Sequence, residues 1–303
     1  MQNQIKATVL ADSINPSGVR ITTFELEYHR YFHSEMMTHR VFSRNSASSR
    51  AIPVAKIIEQ VRNNPAIPVH WGKNQAGMQA NEELTEEQKI DALAAWLNAA
   101  QDAAFSAENM LALGLHKQVV NRILEPFQIM KVVVTSTEWE NFFWLRDHKD
   151  AQPEIRVLAQ QMKKAMQESE PVELQYGMWH LPYVRQVVNA GVQVCFDEQG
   201  NVIDIEKAIK ISCSSCAQVS YRKLDTSLEK AEVIYDKLVN SEPVHASAFE
   251  HVAKCFPCFE MSDGWTHEKA NKPYWKDIGE MWSGNFREWI QYRQLIPNNA
   301  KQG

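Results

Sequence analysis

What the sequence lacks narrows its function before any motif is considered. No apolar run approaches the roughly 20 residues needed to cross a bilayer, and the stretch Met1–Lys6 carries no apolar signal region. A cytoplasmic protein without a membrane partner is expected. Glycine is sparse, 11 residues in 303, and nowhere forms a Gly-x-Gly-x-x-Gly turn or a phosphate loop. Any cofactor must therefore be held by scattered side chains. Five cysteines, an odd number, fit a reducing compartment better than a disulfide framework. A basic excess is missing too: the net charge is −5 and the pI near 6.1. No overall field recruits nucleic acid, so an anion site must be local.

What is there is a chain of 303 residues, 44% hydrophobic, long enough to bury a large core. Phe24, Leu26 and Tyr28 alternate with Glu25 and Glu27, which predicts a strand over Ile21–Tyr28, joined by the Asn15–Gly18 turn to another over Ala7–Ala11. A helix is predicted to start at Pro53, whose missing N–H would be unpaired there anyway, and to end near Asn63. Thr85–Gln88 has the form of a capping box, opening a long helix with Ile90, Leu93, Leu97, Ala100, Ala104, Ala107 and Leu111 on one stripe. Ahead of it, residues 65–81 read as a long irregular stretch whose Trp71, Gly72 and Lys73 are candidates to close over a ligand. A buried strand over Ile129–Thr135 and a helix over Thr137–Arg146 follow. The next helix has a core-facing stripe of Ile155, Leu158, Ala159, Met162 and Met166. Further on come a strand over Val192–Phe196, a turn at Asp197–Asn201, a helix from near Asp204 and another capped at Thr226–Glu229. The tail, with Trp265, Trp275, Trp282 and Trp289, is read as packing, including packing between subunits.

One stretch holds far more donors than a solvated loop needs. Between Thr38 and Arg50 lie His39, Arg40, Ser43, Arg44, Asn45, Ser46, Ser48 and Ser49. A serine-rich turn ahead of a helix start, with arginines on both sides, aims backbone N–H groups and the positive end of a helix dipole at one point. A phosphorylated ligand is expected near Arg50. A polar surface loop with ordinary ion pairs has the same composition, so the pattern by itself leaves both readings open.

The spacing His39–Arg40, seven residues, Ser48, with Ser43, Asn45 and Arg50 in register, resembles the Arg-His-Arg, seven residues, Ser signature of the flavin-dependent thymidylate synthases. Thr38 stands where that family has its first Arg, and Ser46 where it has Glu. The resemblance runs on through Arg122, Asn141 and Arg146 to the Asp150–Arg156 segment, with Thr135 and Thr137 in place of an Asn-x-Arg pair. It then continues out of order. Ser212–Tyr221 resembles an Ala-Arg-Val-Ser-aromatic segment, and His245–His251 resembles His-x-Thr/Ser-Pro-Phe-Glu-His. Both precede the signature in the family and follow it here. A circularly permuted or rearranged member is implied, which chains tolerate because domain termini often lie close together at the surface. The expected fold is α/β (α+β), a mixed sheet with flanking helices. It forms one domain over residues 1–303, with an insertion at about 65–113 and an aromatic tail from about 259.

The resemblance implies reductive methylation of dUMP to dTMP, with methylenetetrahydrofolate as carbon donor and FAD, reduced by NADPH, as hydride source. Ser48, Ser49, Arg50 and Arg122 would grip the nucleotide. Arg146 would draw electron density from the pyrimidine, with Ser48 and His245 beside the reacting groups. His39, Arg40, Asn45, Asn141, Ser220, Ser247 and Glu250 would hold the flavin, and no metal is expected. A homo-oligomer is also implied, a tetramer in the family, with each site built from several chains. The departures at Thr38, Ser46, Thr135 and Thr137 admit a hydroxymethylase acting on dUMP or dCMP. From another class, Cys213-x-x-Cys216 and Cys255-x-x-Cys258 have the composition of a zinc-bearing binding module. Their separation exceeds the roughly 15–20 residues usual between such pairs, and Cys213 and Cys216 read equally as buried thiols on a helix.

Overall fold

The alternation along Phe24–Tyr28 becomes the central strand of the molecule. The structure, a computed structural model, describes residues 4–220, 224–256, 274–277 and 280–300; of Ser220, residues 274–277 and Glu280 only the backbone is described. β1 (Lys6–Ile14) and β2 (Arg20–His29) form the expected hairpin. It turns at Gly18, whose φ of +81° costs glycine nothing. A short helical turn including α1 (His33–Met36) leads into the donor-rich stretch, the middle of which is a strand, β3 (Ser43–Ser46). α2 (Val54–Asn63) begins one residue later than expected: Pro53 is its cap, with an extended ψ of 138°. α3 (Glu86–Ala112) starts at the expected capping box, where the Gln88 N–H donates to Thr85 Oγ1 and the Thr85 N–H to Gln88 Oε1. After α4 (Lys117–Val120) comes β4 (Ile129–Ser136), then α5 (Glu140–Arg146). α5 is shorter than expected because Ser136 Oγ accepts from the Glu138 N–H at 2.9 Å and holds the intervening residues in a turn.

α6 (Pro153–Gln167) and β5 (Val172–Glu173) complete a five-stranded sheet in the order β3-β4-β2-β1-β5. Its pairs are antiparallel except β1 with β5, so the sheet is mixed, as expected. Phe24, Leu26 and Tyr28 share one face with Val132 and Val134. There they pack against Ile155, Leu158, Ala159 and Met162 of α6, with Met166 partly buried at the edge. All four α6 residues are inaccessible, so the helical period matches the sheet it covers.

α2 and α3 make a separate cluster, in which Val54, Ile57, Ile58 and Val61 meet Ala100, Ala104 and Ala107. The predicted α3 stripe is thus buried only in its middle; Ile90 is 69% and Leu111 44% exposed. The reason is length. At about 1.5 Å per residue, the 27 residues of α3 overrun the 10 of α2 at both ends. Residues 65–81 fold back on α3. Trp71 meets Trp96 edge-on at 6.5 Å, Gly72 bridges Glu83, and Lys73 pairs with Glu82 at 3.6 Å. A Cβ on Gly72 would lie 2.2 Å from that of Ala80, so only glycine permits the approach.

The second half begins with β6 (Trp179–His180), β7 (Arg185–Asn189), β8 (Val192–Phe196) and β9 (Val202–Ile203). α7 (Ile205–Ala217) is capped by Asp204 and α8 (Leu228–Val239) by Ser227. β10 (Ala253–Cys255) is followed by β11 (Tyr274–Asp277), β12 (Glu280–Ser283), β13 (Phe286–Arg287) and β14 (Trp289–Gln291). β10 lies between β14 and β6. The described tail side chains, from Met281 on, therefore pack against their own chain. Phe286 and Trp289 are fully buried, and Trp289 Nε1 donates to the Val19 carbonyl at 3.1 Å. Trp265 and Cys258 lie outside the described residues. Cys213, Cys216 and Cys255 are buried in three different apolar clusters, and burial pushes the Cys255 thiol up to about 12. No described helix is long and apolar enough to cross a membrane.

Because Trp289 joins the tail to the first hairpin, Trp289→Ala should lower the urea unfolding free energy by about 3–5 kcal/mol. An unchanged midpoint would mean that the tail is peripheral to the fold.

Candidate functional site

β3 is an edge strand, paired with β4 so that Ser43 faces Thr135 and Asn45 faces Val133. Two segments distant in sequence close on it. Asn45 Nδ2 donates to the Cys216 carbonyl at 2.6 Å, tying β3 to the end of α7. Gln291 Nε2 donates both to Ser43 Oγ at 2.9 Å and to the Glu250 carbonyl at 3.2 Å. Between them, Arg44 Nη1 donates to the carbonyls of Met36, Met37 and His39 at 3.0–3.2 Å. Burial lowers the Arg44 pKa, and the Glu250 carboxylate opposes that shift. Glu250 in turn forms an ion pair with Arg293 of the tail. The donor-rich stretch, the 212–220 segment and the 245–251 segment thus meet at one strand.

A buried polar seam crosses the sheet behind it. Ser13 Oγ lies 2.9 Å from His180 Nδ1, and His180 Nε2 lies 2.8 Å from Thr23 Oγ1. Thr23 Oγ1 lies 2.7 Å from Thr135 Oγ1, which lies 2.9 Å from His251 Nδ1. Donation in that direction gives each hydroxyl an acceptor and leaves His251 Nε2 as an N–H; its side-chain N is buried with no partner among the described residues. The reverse direction would strand the Ser13 hydroxyl as well. Burial pushes both His180 and His251 down to about 3, so both are neutral. Thr135, which departs from the expected Asn, fits because a short hydroxyl can both donate and accept between strand and histidine.

At one end of β3 a cleft of about 210 Å³ opens between His39, Val41, Phe42, Glu138, Asn141, Phe142 and Trp282. Arg146 reaches back from α5 to its rim. Its Nε donates to His39 Nε2 at 3.0 Å, its Nη2 to Thr38 Oγ1 at 3.1 Å, and its Nη1 to Glu35 at 3.3 Å. A guanidinium at position 38 would repel Arg146; the Thr38 hydroxyl accepts from it instead. Burial, with Arg146 and Arg44 adding to it, lowers His39 to about 4 and keeps the ring a neutral acceptor. Its ring meets that of Phe142 edge-on at 4.9 Å. His39, Asn141 and Arg146, singled out separately in the sequence, are therefore together. Trp282 joins them from the tail and Glu138 from the turn before α5, and no local sequence signal marks either as part of a site.

At the other end lies the serine turn. The Ser48 carbonyl accepts from the N–H groups of Ala51 and Ile52 at 3.0 and 3.2 Å. Asn121 Nδ2 fixes the turn from below, donating to the carbonyls of Ser49 at 2.6 Å and Ile52 at 3.0 Å. Ser49 and Arg122 are close, as expected, but they meet at a carboxylate. Ser49 Oγ, Arg122 Nη1 and Arg30 Nη2 lie 3.1, 2.9 and 3.1 Å from Glu125 Oε1. Sequence reading took Arg122 as a nucleotide contact and missed Glu125, three residues further on, and Arg30, which is remote in sequence.

The remaining candidates divide by commitment. Arg40, Arg50, Asn141, His245 and Ser247 are exposed, and their side chains make no hydrogen bond or ion pair among the described residues. The side chains of Asn45 and His39 already serve the protein. The side chain of Ser220 is outside the described residues. Arg146 and Arg122 lie at opposite ends of β3 and do not meet within the chain. No group of three metal-ligating side chains occurs among the described residues. A larger cleft, about 310 Å³, opens between Tyr183, Arg185, Phe196 and the Asp197–Gly200 turn. It contains none of these candidates, and Arg185 already lies over the Phe196 ring at 4.4 Å, so the chemistry favours the smaller cleft.

The sequence pattern of the thymidylate synthase complementing proteins matches residues 19–172, just over half of the 303 residues. No curated protein matches the chain. Among solved structures, the UMP/dUMP methylase PolB from Streptomyces cacaoi bound with 5-Br UMP is similar at a TM-score of 0.46 and 14% identity, covering 55% of this chain and 90% of that one. The same protein bound with 5-Br dUMP gives 0.44 and 14%, covering 54% and 90%.

The buried histidines set a pH dependence. Their folded pKa values lie below the ordinary 6.5, so the unfolded chain binds more protons, and the stability they hold above about pH 6.5 is lost as pH falls toward 3. Each should lose up to about 1.4 kcal/mol per pH unit over that window. Urea titrations at pH 7.5 and 5.0 should show the loss; equal free energies would mean that the imidazoles protonate freely in the fold.

Proposed function

The chain belongs to the thymidylate synthase complementing proteins, and on that premise we propose that it reductively methylates dUMP to dTMP, with methylenetetrahydrofolate, NADPH and a bound FAD. The observation that carries the reading is the convergence on β3. The segments around Cys216 and Glu250, read from sequence as family pieces out of order, dock on either side of Ser43–Asn45.

The residues fit a flavin. The cleft offers Phe42, Phe142 and Trp282 to a planar ring, with Asn141 and Glu138 at its edge. Arg40, Asn141 and Ser247 are uncommitted and exposed, and Glu250 is oriented by Arg293. When bound, the flavin supplies the hydride. The protein's own part is positioning and polarisation. Neutral His39 accepts from Arg146 Nε, and Thr38 and Glu35 take its other two nitrogens, which fixes the guanidinium plane at the cleft rim. Aimed at the uracil carbonyls, that charge withdraws electron density and makes C6 receptive to hydride. Ser48, Ser49, Arg50 and Arg122 would hold the nucleotide in place, the proximity contribution being worth roughly 7–11 kcal/mol. No covalent protein intermediate is invoked. His245, exposed beside Glu250, would stand where folate and nicotinamide compete.

A homotetramer is part of the proposal, because Arg146 and Arg122 do not meet in one chain. The exposed Phe105, Leu113 and Trp144 supply apolar surface for such contacts.

The purified protein should show flavin absorption that NADPH bleaches, and should convert dUMP to a product heavier by one methyl group. A hydroxymethyl product, or turnover of dCMP, would redirect the reading to a hydroxymethylase. Arg146→Ala should lower kcat by about 10²–10³ with flavin retained. Absence of both flavin colour and dUMP conversion would end the proposal.

A further inference from the structure

Three donors from three separate segments converge on one atom, Glu125 Oε1. They are Arg30 from the end of the first hairpin, Ser49 from the turn after β3, and Arg122 from the segment after α4. We propose that these donors form a phosphomonoester site, to which Arg30 is an additional contributor, and that the Glu125 carboxylate is its exchangeable resident anion, displaced when ligand binds. In naming the ligand a nucleotide 5′-phosphate, the inference rests on the proposed function.

The surroundings are built to keep their shape when the carboxylate leaves. The turn is fixed by Asn121 Nδ2 and by Lys117 Nζ, which donates to the Ala51 carbonyl at 3.1 Å. Asn121 is itself fully buried, and its Oδ1 has no partner among the described residues. The backbone N–H groups of Ser49 and Arg50 donate to no backbone carbonyl among the described residues. Glu125 is the movable part, with 27% of its side chain exposed, and Arg122, at 55%, can follow a ligand outward. A phosphate brings more charge and more acceptor oxygens to the two guanidinium groups than a carboxylate does. It cannot share the site with Glu125, since two anions a few ångströms apart repel. Glu125 therefore sets an affinity threshold: ligand binds only by replacing it.

Calorimetric titration of the full chain with inorganic phosphate and with dUMP tests this. Glu125→Gln keeps a partner for Ser49 but removes the competing charge, and should tighten phosphate and dUMP by at least about tenfold. Arg30→Gln in the Glu125→Gln chain should reverse the gain. Tighter binding of phosphate with no dUMP binding by either chain would support the resident-anion inference and overturn the nucleotide reading. Unchanged or weaker binding of both ligands by a folded Glu125→Gln chain would overturn the inference. Should that variant fail to fold, Arg30→Gln alone decides: weakened phosphate binding supports the site, and unchanged binding overturns it.

Discussion

Thr135 Oγ1 stands 2.7 Å from Thr23 Oγ1 and 2.9 Å from His251 Nδ1, and through it the second half of the chain docks on the sheet laid down by the first. The hydroxyl works in this place because it is short and can donate and accept together. A buried polar group without a partner costs about 1–3 kcal/mol, so the seam from Ser13 to His251 specifies one docking of the two halves among the many that apolar contact alone would tolerate. Asn45 and Gln291 act in the same way at the strand edge, each joining β3 to a backbone carbonyl far away in sequence.

Around that junction the charges are arranged in two groups, one at each end of β3. Arg146 is held by a neutral histidine, a threonine and a glutamate, while Arg30 and Arg122 share Glu125. The first group is fixed by three different acceptors and by burial of the histidine it touches. The second depends on one carboxylate that is open to solvent on one side. The difference in rigidity suits a polarising group in the one case and a ligand-exchanging group in the other. Among its described residues, the tail supplies Trp282 to the cleft wall beside the first group and pairs Arg293 with Glu250. A segment without family cover has thus become part of the site's scaffold.

Several features were legible because the rules that set them are local. The β1–β2 hairpin followed from a turn and period-two alternation, the start of α3 from Thr85 and Gln88, and the buried face of α6 from its 3.6-residue period. The α3 stripe was misjudged at its ends, since periodicity says which face is apolar and not how long the partner helix is. The tail's aromatic residues were recognised as packing, but whether they pack on their own chain or another depends on where β10 lies, which no window of sequence contains. Among site residues, His39, Asn141 and Arg146 were found one at a time. Arg30 was not, because nothing links it to Ser49 until the chain is folded; Glu125 was missed although it lies three residues after Arg122.

The sequence by itself determined the elements, the donor-rich stretch and the family, since these reside in spacing along the chain. Tertiary structure alone decided that Ser43–Asn45 would be the meeting place of three segments, that Arg146 would lie on His39, and that a carboxylate would sit among the expected phosphate donors. The physical reason is that hydrogen bonds and ion pairs act over about 3 Å in space, whatever the number of residues between their partners.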